Sequence, residues 1–176
     1  MEKVLGIDGS TTTTGYAICR HYKDKRKRIE SFGDIKAKEK FKALHKSGNQ
    51  KVTPEELRWR SEYTINMLVE IIETGKFDRV VIEDTYASKD PKAYKWLCRI
   101  QGAVIGKCLE KNIPVTLVMP SKWRKFCGIK QRDGKKALKR KELKTNDVNY
   151  VNKEFGLNLQ YKENDKANAI CLAMYE

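Results

Sequence analysis

The sequence is poor in the residues that build disulfide and zinc sites. It has only two histidines, and its five cysteines are scattered with no C-x-x-C pair among them. Neither histidine stands at zinc-finger spacing from a cysteine, which argues against the common structural zinc sites. We therefore expect the cysteines to be reduced thiols that serve mostly as small core residues.

Long apolar runs are also missing. No run reaches the roughly 18 residues that a membrane-spanning helix needs. The first nine residues, MEKVLGIDG, enter a strand directly and have no signal-peptide pattern. These absences predict a cytoplasmic protein.

Positive charge is abundant. The chain has 37 Lys and Arg residues against 23 Asp and Glu residues, a net charge of +14 in 176 residues. That surplus exceeds what solubility requires and predicts a polyanionic partner, nucleic acid before membrane, although a generic basic surface would give the same count. The length fits one compact domain over residues 1–176.

The order of apolar patterns predicts an α/β fold. Three β-rich segments joined by tight connections come first and predict antiparallel strands: Lys3–Asp8, Thr13–Tyr22 and Ile29–Ile35. A polar loop is expected over Phe41–Thr53. The remaining elements are a helix from Pro54 to Thr74, a strand at Asp78–Glu83, a helix at Ala93–Asn112, a strand at Pro114–Met119, and helices that begin near Pro120, Leu138 and Asn164. This order predicts a mixed five-stranded sheet with helices on both faces.

Three carboxylates occupy positions where α/β sheets carry ligand sites. Asp8 ends the first strand, Glu83 ends the fourth, and Asp165 opens the last helix. If the first and fourth strands pair in parallel, Asp8 and Glu83 emerge at the same sheet edge. Gathered carboxylates repel one another, so a cation must hold them together. An all-oxygen ligand set favours Mg²⁺ or Mn²⁺, and two such ions about 4 Å apart can hydrolyse a phosphodiester.

The residues around these acids carry a family resemblance. The strings are GIDGSTTTTGYAI, VVIEDTYASKD followed by QGAVIG, and ENDKANAICLA. Together they resemble, from end to end, the RuvC-family Holliday junction resolvases of the RNase H-like superfamily, most of all the phage-encoded members. The resemblance implies an RNase H-like fold and a metal-dependent endonuclease that cleaves Holliday junctions and other branched DNA. A homodimer would match the two-fold symmetry of a four-way junction, and a phage-encoded protein would act in the cytoplasm of a bacterial host.

The resemblance also implies site residues. Its motifs place two Mg²⁺ ions, for which Mn²⁺ could substitute, on Asp8, Glu83, Asp165 and Asn168, all in catalytic positions. Tyr86 matches an aromatic residue that stacks at the junction. The family has catalytic or phosphate-binding lysines between the last strand and the last helix. That region is crowded with basic residues, and none of the following is singled out as the DNA-binding or catalytic one: Lys122, Arg124, Lys125, Lys135, Lys136, Lys139, Arg140 and Lys141.

Asn168 departs from the family pattern, which has an acid at this position. Asp165 and Asn168 are three residues apart and hence lie on one helix face. A neutral amide binds Mg²⁺ more weakly than a carboxylate does. Two interpretations follow: either Asn168 is a natural variant in an active enzyme, or it leaves a junction-binding protein whose cleavage is impaired.

Actin-like and sugar-kinase ATPases provide a further alternative, because GIDGSTTTTG resembles their first phosphate loop. Those proteins need a second phosphate motif and a glycine-rich adenosine site in a duplicated domain. Eleven glycines with no adjacent pair in 176 residues leave no room for them. Two local alternatives stay open. The small-residue face of Gly102, Ala103 and Gly106 packs either on the sheet or across a dimer seam, and the basic turn KDKRKR is either a solvated hairpin tip or a DNA contact.

Overall fold

The structure is a computed structural model that describes residues 1–45, 51–85 and 91–176. In chain order its elements are β1 (Glu2–Asp8), β2 (Thr14–His21), β3 (Lys27–Ile35), α1 (Ala37–His45), α2 (Pro54–Gly75), β4 (Arg79–Glu83), α3 (Pro91–Glu110), β5 (Val115–Val118), α4 (Pro120–Phe126), β6 (Arg132–Asp133), β7 (Lys136–Ala137), α5 (Arg140–Phe155) and α6 (Asn164–Met174). A short 3-10 helix at Tyr161–Glu163 precedes α6. None of the described helices is long and apolar enough to cross a bilayer.

Five strands form one mixed sheet in the order β3-β2-β1-β4-β5. The β1–β2 and β2–β3 pairs are antiparallel, whereas the β1–β4 and β4–β5 pairs are parallel. The predicted mixed five-stranded sheet is therefore confirmed. Because β1, β4 and β5 run the same way, they end at one edge of the sheet, where Asp8 pairs with Gly15 at the start of β2. We call this edge the carboxyl edge.

Helices cover both faces of the sheet, as the sequence predicts. On one face, α2 and α3 pack against a core that includes Leu5 and Ile7 of β1. On the other face, α4, α5 and α6 pack against a core that includes Val4. Successive side chains of a strand point to opposite faces. Asp8 is four residues after Val4, so it lies on the face that α6 covers.

Two glycines of the sheet allow α6 to lie directly against the strand backbones. A Cβ atom on Gly6 would lie 2.3 Å from the carbonyl oxygen of Ala169. A Cβ atom on Gly15 would lie 2.0 Å from the carbonyl oxygen of Asp165. Neither space can hold a side chain. The close approach at Gly15 brings the first turn of α6, and Asp165 with it, to the carboxyl edge.

Changing Gly15 to Ala is expected to destabilise the protein by about 1–3 kcal/mol or more, because a methyl group forced into a filled space shifts the backbone around it. Urea denaturation measures the loss. Gly102→Ala is the matched control, because a Cβ atom there meets nothing within 4 Å and Ala is favoured over Gly inside a helix by about 0.5–1 kcal/mol. Equal stability of Gly15→Ala and the wild type would contradict the close packing of α6.

The structure corrects the predicted loop at Phe41–Thr53, since residues 41–45 belong to α1. Phe41 stacks on His45, with ring centroids 4.1 Å apart, and meets Trp59 of α2 edge-on at 5.5 Å. These tertiary aromatic contacts stabilise a helix that the polar local composition does not predict. The part of the loop at 46–50 lies outside the described residues.

Two smaller features also differ from the sequence expectations. The basic stretch before α5 contains the β6–β7 hairpin, which was not predicted. Helix α2 runs one residue beyond the predicted end at Thr74, and the left-handed residue that follows Gly75 is Lys76, with φ 47°. Gly102 and Gly106 have open space where a Cβ atom would stand, so they do not pack on the sheet. The dimer seam on this face stays a prediction.

Candidate active site

A cleft of about 540 Å³ opens at the carboxyl edge of the sheet. The loop after β1, the end of β4 and the first turns of α3, α5 and α6 all contribute to its wall. Its lining includes the four predicted metal ligands: Asp8, Glu83, Asp165 and Asn168. Asp84 lines the cleft as well, because β4 ends at Glu83 and its alternation of faces stops there. The fold therefore brings together residues that are up to 160 positions apart in sequence.

Asp8 is paired with the amide of Asn168. The carboxylate is only 8% exposed, and its Oδ2 accepts a 2.9 Å hydrogen bond from Nδ2 of Asn168. The other amide atom, Oδ1 of Asn168, is buried and has no hydrogen-bond partner among the described residues. An unpaired buried polar atom costs about 1–3 kcal/mol. This oxygen is therefore free to accept a hydrogen bond or to act as a ligand to a cation.

Glu83 is held by Trp123 of α4. The indole Nε1 donates a 2.9 Å hydrogen bond to Oε2 of Glu83. Trp123 is completely buried in the core beneath α4, so the position of its indole is fixed by packing. A tryptophan early in a helix is ordinarily a core residue, and no motif in the sequence indicates that this one also orients a carboxylate.

All three acids of the cleft have a raised pKa, and burial is the main cause in each. Burial is the main cause of the strongly raised pKa of Asp8, and the charges of Glu83 and Asp165 raise it further. Burial also raises the pKa of Glu83 and of Asp165. Buried acids that repel one another are a typical feature of a functional site.

The oxygen atoms that line the cleft suit a hard cation. Over residues 1–45, 51–85 and 91–176, no three Asp, Glu, His or Cys side chains stand as a preformed ligand group. Asn168 is not one of those residue types, and its unpaired buried oxygen would complete an all-oxygen set with the three mutually repelling acids. Oxygen ligands without thiolate or imidazole favour Mg²⁺ or Mn²⁺. A cation would remove the repulsion and would also satisfy the amide oxygen.

Among the described residues, three basic side chains line the cleft: Arg124, Arg140 and Lys144. Against the dominant effect of burial, the charge of Lys144 lowers the pKa of Asp8 and Asp165, and the charge of Arg140 lowers that of Asp165. Arg124 and Arg140 were predicted as DNA-binding residues, whereas Lys144 was missed. The available signal was its spacing, because Lys144 lies one helical turn after Arg140 on the same face of α5.

The remaining basic residues of the predicted DNA-binding set do not line the cleft. They are exposed on α4, on the β6–β7 hairpin and at the start of α5: Lys122, Lys125, Lys135, Lys136, Lys139 and Lys141. Tyr86 lies outside the described residues, so its stacking role stays a prediction.

Known proteins resemble the chain over almost its whole length. No family model matches it. The crossover junction endodeoxyribonuclease RuvC of Campylobacter concisus is 28% identical over 173 residues, which cover 98% of this chain and 94% of the relative. The RuvC protein of Campylobacter curvus is 28% identical over 172 residues, with the same coverage. The chain is therefore similar to RuvC proteins from end to end.

Solved structures agree with this similarity at the level of the fold. Thermus thermophilus RuvC in complex with a Holliday junction substrate is 16% identical, has a TM-score of 0.67 and is matched over 98% of this chain and 90% of that one. The Fowlpox virus resolvase, solved with Holliday junction DNA, is 13% identical, has a TM-score of 0.60 and is matched over 98% and 94%. The RNase H-like fold class is confirmed.

Proposed function

We propose that this chain is a RuvC-type, metal-dependent endonuclease that cleaves Holliday junctions and other branched DNA. The observation that carries the proposal is that Asp8, Glu83 and Asp165 line one cleft at the carboxyl edge with basic residues around them. The Campylobacter relatives are named crossover junction endodeoxyribonucleases, and that reaction needs both a metal-binding acid cluster and a surface for phosphates.

The four cleft residues Asp8, Glu83, Asp165 and Asn168 would hold two Mg²⁺ ions, for which Mn²⁺ could substitute. When bound, such ions supply a Lewis acid and lower the pKa of a water nucleophile. The protein residues orient the ligands and bind the substrate. Trp123 fixes Glu83, and Asn168 fixes Asp8.

The basic residues of the cleft would bind the DNA backbone. Arg124, Arg140 and Lys144 face the acids and would neutralise phosphate oxygens beside the scissile bond. The exposed lysines around the cleft would contact phosphates farther along the duplex arms. Tyr86, which directly follows the cleft residues Asp84 and Thr85, would stack on a base at the junction.

A C2 homodimer would place two clefts on opposite strands of a four-way junction. The outer face of α3 is the surface that suits this seam. Gly102 and Gly106 leave open space on it, and Leu109 is 68% exposed near its end. Small residues allow two helices to approach closely, and burial of an exposed leucine in the interface is favourable because it removes apolar surface from water.

A nicking assay on a synthetic four-way junction tests the proposal. We expect symmetric nicks that need Mg²⁺ or Mn²⁺ and that EDTA abolishes, with 5′-phosphate and 3′-hydroxyl ends. A linear duplex of the same sequence serves as the control substrate and should be cut far less. Absence of metal-dependent nicking in the wild type and also in Asn168→Asp would contradict the endonuclease.

One observation favours a second candidate function, a junction-binding protein that cleaves poorly. The amide of Asn168 donates a hydrogen bond to Asp8 where the family pattern has a second acid. A neutral ligand would weaken metal binding without removing the basic surface. Tight junction binding with slow nicking would identify this form.

Two basic hairpins allow the DNA-binding surface to be tested. The β6–β7 hairpin connects α4 and α5, both of which line the cleft, whereas the β2–β3 turn lies at the opposite edge of the sheet. Changing Lys135 and Lys136 to Gln is expected to weaken junction binding and to reduce the salt slope of log K by about 0.9 for each lost phosphate contact. Fluorescence anisotropy at several salt concentrations measures both.

The matched control changes Lys23 and Lys25 to Gln in the β2–β3 turn, which removes the same charge far from the cleft. We expect this variant to bind as the wild type does, with the turn acting as a solvated hairpin tip. Equal losses in the two variants would mean that the net charge, and not the position of the hairpin, determines binding.

A further inference from the structure

One of the basic residues that line the cleft, Arg124, belongs to a buried ion pair. Asp147 of α5 has no exposed side-chain surface, and Arg124 of α4 donates to both of its carboxylate oxygens. The Nε atom lies 2.9 Å from Oδ1 and 3.1 Å from Oδ2, and the Nη2 atom lies 2.8 Å from Oδ2. Bidentate pairing fixes the plane of a guanidinium as well as its position.

Arg124 also contacts the tryptophan that holds Glu83. Its Cζ atom lies 4.3 Å from the ring centroid of Trp123, a cation–π contact. The indole Nε1 of Trp123 donates to Glu83 at 2.9 Å. Contacts therefore run without a break from Asp147 through Arg124 and Trp123 to Glu83, and we call these four residues the Asp147 contact chain.

Stability alone does not account for the buried pair. Removing two charges from water costs several kcal/mol, and apolar residues of similar volume often replace such pairs without loss of stability. Arg124 is 12% exposed and lines the cleft, so part of its side chain faces the place where substrate would lie. Asp147 thus holds a cation at the edge of the active site.

We propose that Asp147 is a positioning residue for DNA cleavage: it fixes the Arg124 guanidinium toward the substrate phosphate and, through Trp123, fixes the carboxylate of Glu83. The inference rests on the proposed function. No sequence motif marks Asp147, which lies inside a mostly polar helix.

The first test measures position and does not depend on activity. In a ¹H–¹⁵N spectrum, the indole N–H of Trp123 is assigned with Trp123→Phe and followed in Asp147→Asn, which keeps the shape of the side chain and removes its charge. We expect this resonance to shift and its hydrogen exchange to become faster, while the resonances of Trp59 and Trp96 stay in place. Glu83→Gln should move the same resonance.

The second test is single-turnover cleavage of a bound junction, carried out in the Asn168→Asp background if the wild type cuts slowly. Asp147→Asn should lower the rate about tenfold to a hundredfold, as is typical when a residue that orients a ligand is changed, with junction affinity within a few-fold. Once Arg124 is changed to Gln, adding Asp147→Asn should have little further effect, because Asp147 acts through Arg124. Arg124→Lys keeps the charge without the bidentate pair and should give an intermediate rate. This variant also tests the inference if Asp147→Asn folds poorly.

Glu56→Gln is the matched control, because it breaks another buried ion pair, that of Glu56 with Arg60 in α2. It should lower stability and leave the cleavage rate of the folded protein unchanged. A Trp123 resonance that does not move in Asp147→Asn would overturn the inference whether or not the protein cleaves DNA, and so would additive effects of Asp147→Asn and Arg124→Gln. If the Trp123 resonance moves but no variant cleaves DNA, the proposed function and the role of Asp147 in cleavage would be overturned. The Asp147 contact chain would still be supported.

Discussion

Replacing Asn168 by aspartate is expected to raise junction cleavage about a hundredfold or more, which corresponds to about 2.7 kcal/mol of barrier. The amide now donates to Asp8, and its own oxygen is buried without a partner. A carboxylate at this position would add a charged metal ligand to the set that contains Asp8, Glu83 and Asp165. Junction affinity should stay within a few-fold, because the basic surface is unchanged.

The same substitution should make the fold depend on metal. Without metal, the new carboxylate would replace a hydrogen-bond donor 2.9 Å from Asp8 with a like charge, and the protein should unfold at a lower temperature than the wild type. Mg²⁺ binds the folded state and should raise the unfolding temperature of Asn168→Asp more than that of the wild type. Thermal unfolding with EDTA and with Mg²⁺ measures both effects.

Asn149→Asp on the exposed face of α5 is the control for an added negative charge. It should change neither cleavage nor the response to Mg²⁺. If the wild type already cuts junctions well and Asn168→Asp adds nothing, residue 168 is not a significant ligand. If an inactive wild type stays inactive as Asn168→Asp, the non-cleaving junction binder becomes the better description.

The fold and the positions of the acids could be predicted because they depend on local patterns. Strand and helix periodicities are short-range signals, and they place Asp8 and Glu83 at strand ends. Parallel pairing then brings both residues to one edge. To place Asp165 there, the prediction needed only that the last helix packs near that edge. The close contact at Gly15 explains why it does.

The contacts that orient the site could not be predicted in the same way. Trp123 meets Glu83 across 40 positions of sequence, and Arg124 meets Asp147 across 23. Which side chain reaches which partner depends on how α4 and α5 pack, and no local pattern records that. Helix α1 was missed for a related reason, because the aromatic contact of Phe41 with Trp59 is tertiary.

Changing Asp8 to Asn is expected to abolish metal-dependent cleavage. A metal site supplies several kcal/mol of transition-state stabilisation, so the loss of a central ligand should lower the rate about a thousandfold or more. Junction binding should be retained or improved, since one negative charge near the phosphates is removed. Single-turnover nicking and anisotropy measure the two effects on the same preparation.

The same variant is expected to be more stable than the wild type at neutral pH without metal. Burial, and then the charges of Glu83 and Asp165, raise the pKa of Asp8 in the folded protein. A carboxyl group with a raised folded pKa stabilises the fold fully only below its ordinary pKa of about 4, and this stability is lost as the pH rises through the folded value. Asparagine does not titrate, so the stability advantage of Asp8→Asn should grow as the pH rises from about 4.

Urea denaturation between about pH 4 and pH 8, in EDTA and again in Mg²⁺, measures this advantage. Mg²⁺ should reduce it, because a cation offsets the buried negative charge in the wild type. Asp24→Asn in the exposed β2–β3 turn is the control for the substitution itself. A pH-independent difference, or a variant that is less stable at neutral pH, would show that Asp8 serves the fold, whereas lost cleavage together with gained stability is the result expected of a residue kept for binding metal.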